Sequence, residues 1–167
     1  SFGANFSSGS NTYNHQFIIN GNFVCQSNDA LKINYISAGT NTLNGNVTFK
    51  GNVTIGSNVT GFTQDASNST RMNVFLEGGT ASSPAFIDIT PVAVAIPMTI
   101  NSGYRKLQNN NLTVNSVNGY TTPFTLKSGA TLDFGYSSTN TALNIINIVG
   151  SVGTNSFISE AGSILKI

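Results

Sequence analysis

Between residues 43 and 60 the chain alternates apolar and polar side chains. Leu43, Val47, Phe49, Val53, Ile55 and Val59 fall on odd positions, and Asn46, Thr48, Lys50, Asn52, Thr54, Asn58 and Thr60 on even ones. Successive side chains of an extended strand point to opposite faces, so this stretch carries one dry face and one wet face. The wet face holds three Asn-x-Thr acceptor triplets in one phase, at Asn46, Asn52 and Asn58. A bulky N-linked glycan belongs on such a face if the chain is secreted past a glycosylation machinery. Three further triplets begin at Asn5, Asn68 and Asn111, and the six together predict several glycosylated positions on an extracellular, cell-surface protein.

Two folds compete for the 43–60 stretch. Its three GNVT-like hexads resemble the coils of a β-solenoid or the stem of a trimeric viral fibre. A solenoid must repeat along most of its length to bury its core, and here the six-residue period stops after three copies. A single long amphipathic hairpin turning at Lys50-Gly51-Asn52 explains the same residues without a repeat.

The rest of the chain reads as short strands between Gly, Asn and Ser turns. Phe17–Asn20, Asn22–Cys25, Leu31–Ile36, Met72–Leu76, Ala85–Thr90, Leu112–Val117, Pro123–Lys127, Thr131–Tyr136, Ala142–Val149, Ser156–Ser159 and Ser163–Ile167 are candidates. Val92, Val94, Ile96, Met98 and Ile100 alternate with small residues and Pro97. Proline cannot donate to a ladder, so that strand is expected at an edge or bulged. A weak helical turn is conceivable only around Tyr104–Asn109. Ten or more short strands predict an all-β fold: one antiparallel β-sandwich, jelly-roll-like, over residues 15–167, with an extended donor-strand and linker segment over residues 1–14.

Composition narrows the function classes. Only 8% of the 167 residues are charged, against about a quarter in typical soluble domains, and the net charge is +1. The seven basic residues form no stripe, so no nucleic-acid partner is expected. No run of about 20 apolar residues exists, so no membrane span is expected. The chain begins at Ser1, as a mature secreted protein or an expression fragment would. Cys25 is the one cysteine, which excludes an internal disulfide and suits a buried small apolar position. The six carboxylates are Asp29, Asp65, Glu77, Asp88, Asp133 and Glu160. So few acids leave little stability to lose at low pH, which suits an acidic or harsh exterior. Glycans replacing charge as the source of solubility would suit a neutral one.

Catalytic chemistry is sparse. His15 is the one histidine, in a polar context, and no Gly-x-Ser-x-Gly elbow occurs. The acids are dispersed, without an Asp-x-Asp loop, so no metal site and no paired carboxylates for glycoside hydrolysis are expected. We expect neither catalytic residues nor a cofactor. The N-terminus offers something else. Phe2, Ala4 and Phe6 alternate with Ser1, Gly3 and Asn5, followed by a Ser/Gly tether. Such a strand could fill successive pockets in a neighbouring sheet with an open edge. Two buried Phe side chains would contribute roughly 3–6 kcal/mol. Phe157–Ile167 could serve as the donor instead.

A short apolar-alternating N-terminal strand, a β-body, few charges and repeated acceptor triplets together resemble the subunits of archaeal surface filaments, the glycosylated threads and bundling pili. The residues that carry the resemblance are Phe2, Ala4, Phe6 and the six acceptor asparagines. It implies a homopolymer of strand-exchanged subunits that carries N-linked glycans, contacts other cells or surfaces, and serves adhesion and biofilm formation. It also admits intersubunit isopeptide bonds from Lys50 or Lys166. Two other classes stand beside it. One is a trimeric viral or phage fibre or a β-solenoid adhesin passenger domain. The other is a carbohydrate-binding module using Tyr13, Tyr35, Tyr104, Tyr120 and Tyr136.

Overall fold

The computed structural model describes residues 5–6, 12–26, 28, 30–33, 36–37, 42–56, 58–64, 70–89, 93–108, 112–115, 123–135, 146–149 and 157–167. Among these residues every regular element is a β-strand. They fall into six coils. The first holds β2 (Thr12–Ile19), β3 (Phe23–Cys25) and β4 (Leu31–Ile33), with β1 (Asn5–Phe6) before it and β5 (Ile36–Ser37) after β4. The second holds β6 (Thr42–Phe49), β7 (Val53–Ile55) and β8 (Phe62–Gln64), and the third β9 (Thr70–Leu76), β10 (Ala85–Ile89) and β11 (Ala93–Ala95). The fourth holds β12 (Met98–Ile100), β13 (Tyr104–Leu107) and β14 (Leu112–Asn115), and the fifth β15 (Phe124–Leu126), β16 (Thr131–Asp133) and β17 (Ile146–Val149). The sixth holds β18 (Phe157–Ser159) and β19 (Ile164–Lys166).

Each strand pairs in parallel with its counterpart one coil away. The first sheet runs β2-β6-β9-β12-β15-β18, the second β3-β7-β10-β13-β16-β19, and the third β4-β8-β11-β14-β17. The chain is therefore a β-solenoid, and the expected antiparallel sandwich or jelly roll is overturned. The alternation did locate the buried side, since Val47, Phe49, Val53, Ile55 and Val59 all lie in the core, but Thr48, expected on the wet face, is buried as well. What it could not give is strand direction. In a hairpin β6 and β7 would pair with each other. Instead the Lys50-Gly51-Asn52 turn takes the chain round a corner, so Phe49 pairs with Ile19 and Leu76, and Val53 with Phe23 and Ile87. The Tyr104 region, read as a possible helical turn, is strand β13. Pro97 sits between β11 and β12, at a corner where its missing N–H costs no ladder bond, and its carbonyl accepts from the Val74 N–H at 2.9 Å.

The core is a set of columns. Phe17, Val47, Val74, Met98, Phe124 and Phe157 stack in register through the first sheet. Leu31, Phe62, Val94 and Val114 do so through the third. Phe124 and Phe157 stack at 5.6 Å between centroids, 18° from parallel, and Phe23 packs on Phe49 at 5.0 Å. Each buried Val, Leu, Ile or Phe contributes roughly 1.5–3 kcal/mol, but a lone coil has nothing to bury them against. The coils must therefore stack to be stable.

A charged side chain also lies inside. Arg105 is fully buried, with Ala85 as its register partner on one side and Leu132 on the other. It donates to the Gly51 carbonyl at 2.7 Å, to the Phe49 carbonyl at 2.5 Å and to the Glu77 carbonyl. Burial pushes its pKa down to about 10, with Glu77 opposing the shift, so the guanidinium remains charged at neutral pH.

The corner after the first sheet sets how closely coils approach. Gly103 has φ +82°, and a Cβ there would lie 2.2 Å from the Gly78 carbonyl oxygen. Gly129, at the same corner one coil on, has φ +77° but open space around a Cβ. Replacing Gly129 with Ala should cost only left-handed backbone strain, about 1–2 kcal/mol. Gly103→Ala adds a clash with main chain and should cost at least about 3 kcal/mol. Urea unfolding of the two variants measures the difference, and equal losses would show that the coils have slack at this corner.

Candidate functional site

The outer face of the second sheet gathers the most chemistry. Its parallel register puts Lys106, Asp133 and Lys166 in one column, on three successive coils. Tyr104, two residues before Lys106 on the same face, reaches across to Asp133. The Tyr104 hydroxyl donates to Asp133 Oδ2 at 2.5 Å and accepts from Lys166 Nζ at 2.9 Å. Lys166 Nζ also lies 3.4 Å from Asp133 Oδ2 and 5.6 Å from the Tyr104 ring centroid. The Gly135 N–H donates to Asp133 Oδ1 at 2.7 Å.

The charges in this cluster support one another. Burial pushes the Asp133 carboxyl up, but the Tyr104 hydroxyl, the Gly135 N–H and Lys166 together outweigh it and hold the carboxyl below its ordinary value. The Tyr104 contact and then Asp133 hold the Lys166 ammonium above its own. Both Asp133 oxygens are engaged, so the carboxylate is held as an acceptor rather than presented as a base. Lys166, 59% exposed, is the member with donor capacity facing solvent. The cluster is chemically a pinned aromatic edge with an ammonium beside it.

A second ladder runs along the corner after the first sheet. Asn20, Lys50, Glu77, Asn101, Lys127 and Glu160 occupy equivalent places, fixed by main-chain bonds such as Lys50 N–H to Ile19 and Glu160 N–H to Leu126. Asn101 donates to Glu77 Oε1 at 2.8 Å, and Lys127 pairs with Glu160 at 2.5 Å. Lys127, then the Ser128 N–H, keep the Glu160 carboxyl below its ordinary value.

The residues singled out in the sequence are distributed as follows. Phe2, Ala4, Asn68 and Asn111 lie outside the described residues, as do Tyr35, Tyr120 and Tyr136. Asn5 and Phe6 form β1, paired with Ile36 and Ser37 of the same chain. The boundary drawn at residue 14 falls within β2, which also contains His15. Cys25 is half-buried and packs against the core. Asn46, Asn52 and Asn58 sit on three different parts of the second coil. Asn46 is in β6 and accepts from the Asn73 amide at 3.3 Å, while Thr48 of its triplet is 1% exposed. Asn52 is at the first corner: its N–H donates to Asn22 Oδ1 and its own Oδ1 accepts from the Phe86 N–H, each at 2.9 Å. Asn58 is exposed at the next corner, as is Thr60 of its triplet. Lys50 is exposed, and Lys166 is held by Tyr104 and Asp133.

Sequence reasoning missed both the Tyr104–Asp133–Lys166 cluster and the buried Arg105. Tyr104 and Asp133 are 29 residues apart, and Tyr104 and Lys166 are 62. Only a known coil length would have brought them together. Among the described residues no three His, Cys, Asp or Glu side chains gather as a metal site, and no helix is long and apolar enough to cross a membrane. No protein-family profile, no curated protein and no solved structure matches the chain.

A carboxyl whose pKa is lower folded than unfolded stabilises above its unfolded value, and that stability is lost as pH falls through the folded one. For Asp133, with an ordinary value of 3.8, the loss falls below about pH 4. Denaturant midpoints should therefore drop between pH 5 and pH 2 in the native chain. They should drop less in Asp133→Asn, which is already destabilised at pH 7. Parallel pH profiles for the two proteins would remove Asp133 from this role.

Proposed function

We propose that this chain is a structural, adhesin-like β-solenoid segment of an extracellular surface protein, and not a catalyst. The supporting observation is the stack of coils among the described residues, whose dry columns face inward and whose sequence carries few charges. A solenoid is quasi-one-dimensional, each coil touching only its neighbours, so it spans distance and offers a long flat surface for contact. Its main-chain ladder resists unfolding without needing charge or disulfides. The donor-strand form of the filament reading began from a sandwich lacking one strand; the body is a solenoid, and the proposal takes the solenoid form.

Location is the direct test. Antibodies against the chain should label intact cells of its source, and beads coated with it should be retained on those cells or on their extracellular matrix. Labelling that appears only after permeabilisation would overturn the reading. Glycan placement gives a second test. In a glycosylating host, peptide mapping should find Asn58, exposed together with Thr60, more fully occupied than Asn46, whose Thr48 hydroxyl is buried. The reverse order would mean that attachment precedes coil formation and ignores the folded geometry.

A further inference from the structure

We propose that the outer face of the second sheet, from an excursion over residues 80–84 to Lys106, binds a carboxylated polysaccharide. This deepens the adhesin-like reading above and rests on it, because it names what such a surface holds.

The excursion sets the third coil apart. At the corner after the first sheet the second coil spends only residues 50–52 and the fourth only residues 101–103, whereas the third spends residues 77–84. Gly78 and Gly79, both with positive φ, keep the root of this segment against the stack. A Cβ on Gly79 would lie 2.2 Å from the Tyr104 carbonyl oxygen and 2.5 Å from the Ala85 nitrogen. The chain therefore leaves the coil at Gly79 and is back at Ala85, and residues 80–84 stand out from the corner. Thr80 and Ser83 exchange main-chain bonds at 2.9 and 3.2 Å, and the Thr80 hydroxyl also accepts from the Ser83 N–H at 3.1 Å. Thr80, Ala81, Ser82 and Ser83 are all exposed. The result is a fixed, uncharged loop that carries hydroxyls and leads straight into β10. Insertions in repeat folds gather on one face, often the binding face.

The strands beside the loop supply an aromatic floor and a cation. Phe86 and Tyr104 are half-buried and alternate with the inward Ala85, Ile87 and Arg105, so both belong to the outer face. Phe86 is the register partner of Lys106, and Lys106 of Asp133. Asp133 is nevertheless taken by the Tyr104 hydroxyl, the Gly135 N–H and Lys166. Asp88, also outward on β10, is engaged in a contact of its own. Among the described residues no hydrogen bond or ion pair holds the Lys106 ammonium, although its side chain is half-buried. Partly burying an ammonium without a carboxylate is unfavourable, and an anionic ligand would offset that cost.

The ligand class follows from these groups taken together. Aromatic rings stack on the apolar faces of sugars, hydroxyls bond to sugar hydroxyls, and an ammonium pairs with a carboxylate. Successive coils rise by about 4.8 Å, close to the length of one sugar in an extended chain. A polysaccharide laid along the stack therefore meets Phe86 and Lys106 with neighbouring sugars, one stacking and the next pairing its carboxylate.

Calorimetry of the purified chain with polygalacturonate, a neutral glucan and double-stranded DNA tests this. We expect binding to the polyuronate alone, weakened by salt and lost when its carboxyls are methyl-esterified. Lys106→Met should lower the affinity roughly tenfold while leaving the circular dichroism and the unfolding temperature unchanged. Ser82→Ala combined with Ser83→Ala should lower it about threefold. Lys32→Met, which removes the same charge from β4 of the third sheet, should leave it as it was. Equal binding of the glucan or of DNA, full affinity in Lys106→Met or in the double serine variant, or an equal loss in Lys32→Met would each overturn the proposal. Surface labelling is measured without any polysaccharide, so the ligand can fail while the surface assignment stands.

Discussion

The parallel ladder between successive coils is the constraint from which the rest of this molecule follows. Each strand inside the stack is hydrogen-bonded to the coil before it and the coil after it, so every coil must keep its neighbour's phase. A slip of one residue would turn a whole side inside out. The ladder thereby converts a local alternation into columns. Val47 is buried because its column does not end with it: Phe17 lies on one side of it and Val74 on the other. Coils are free to differ in length between strands, provided the strands return to their columns. Met98 follows Val74 by 24 residues, whereas Phe157 follows Phe124 by 33.

Arg105 shows what happens where two such lengths meet. The third coil takes a longer path between its first two strands, from Leu76 to Ala85, than the second coil takes from Phe49 to Val53. The column therefore places small Ala85 beneath Arg105, and the guanidinium extends past it to the Phe49, Gly51 and Glu77 carbonyls of the two preceding coils. Burying a cation is costly, and burial lowers the pKa of Arg105 to about 10. Main-chain carbonyls at a tight corner offset it, the Phe49 carbonyl accepting from Arg105 in addition to the Glu77 N–H. One side chain thus ties three coils together at the place where their paths diverge.

Sidedness was legible in the sequence, and topology was not. The positions 47, 49, 53, 55 and 59 are inward, as the alternation requires, and Val94, Ile96, Met98 and Ile100 are too. Alternation is blind to whether a chain reverses or turns a corner, since both keep the same face dry. The six-residue repeat was a poor guide for the same reason. Its three copies are successive parts of one coil, and the true repeat is several times longer and uneven. Proline at 97 marked a real break, but the break is a corner between two sheets rather than an edge. The Tyr104–Asp133–Lys166 cluster left no trace in the spacing, because its three members come from three coils of unequal length.

The scarcity of charge acquires a structural cause in this fold. Outward residues in a column stand about 4.8 Å from their counterparts above and below. Two like charges at that separation repel by about 1–3 kcal/mol, depending on how far water reaches between them. Repeating a lysine or glutamate up a column is therefore unfavourable, whereas Asn and Thr can stack on copies of themselves or hydrogen-bond between coils, as Asn73 does to Asn46. Where charges do occur in columns, they alternate in sign or are spaced by an amide. Lys106, Asp133 and Lys166 follow one another on the second sheet, and Lys50, Glu77, Asn101, Lys127 and Glu160 on the corner. A stacked surface of this kind is compatible with few charges in an acidic or a neutral exterior alike. A shared ladder leaves few outward positions where an isolated charge stabilises, and the sequence fills the others with small neutral polar groups.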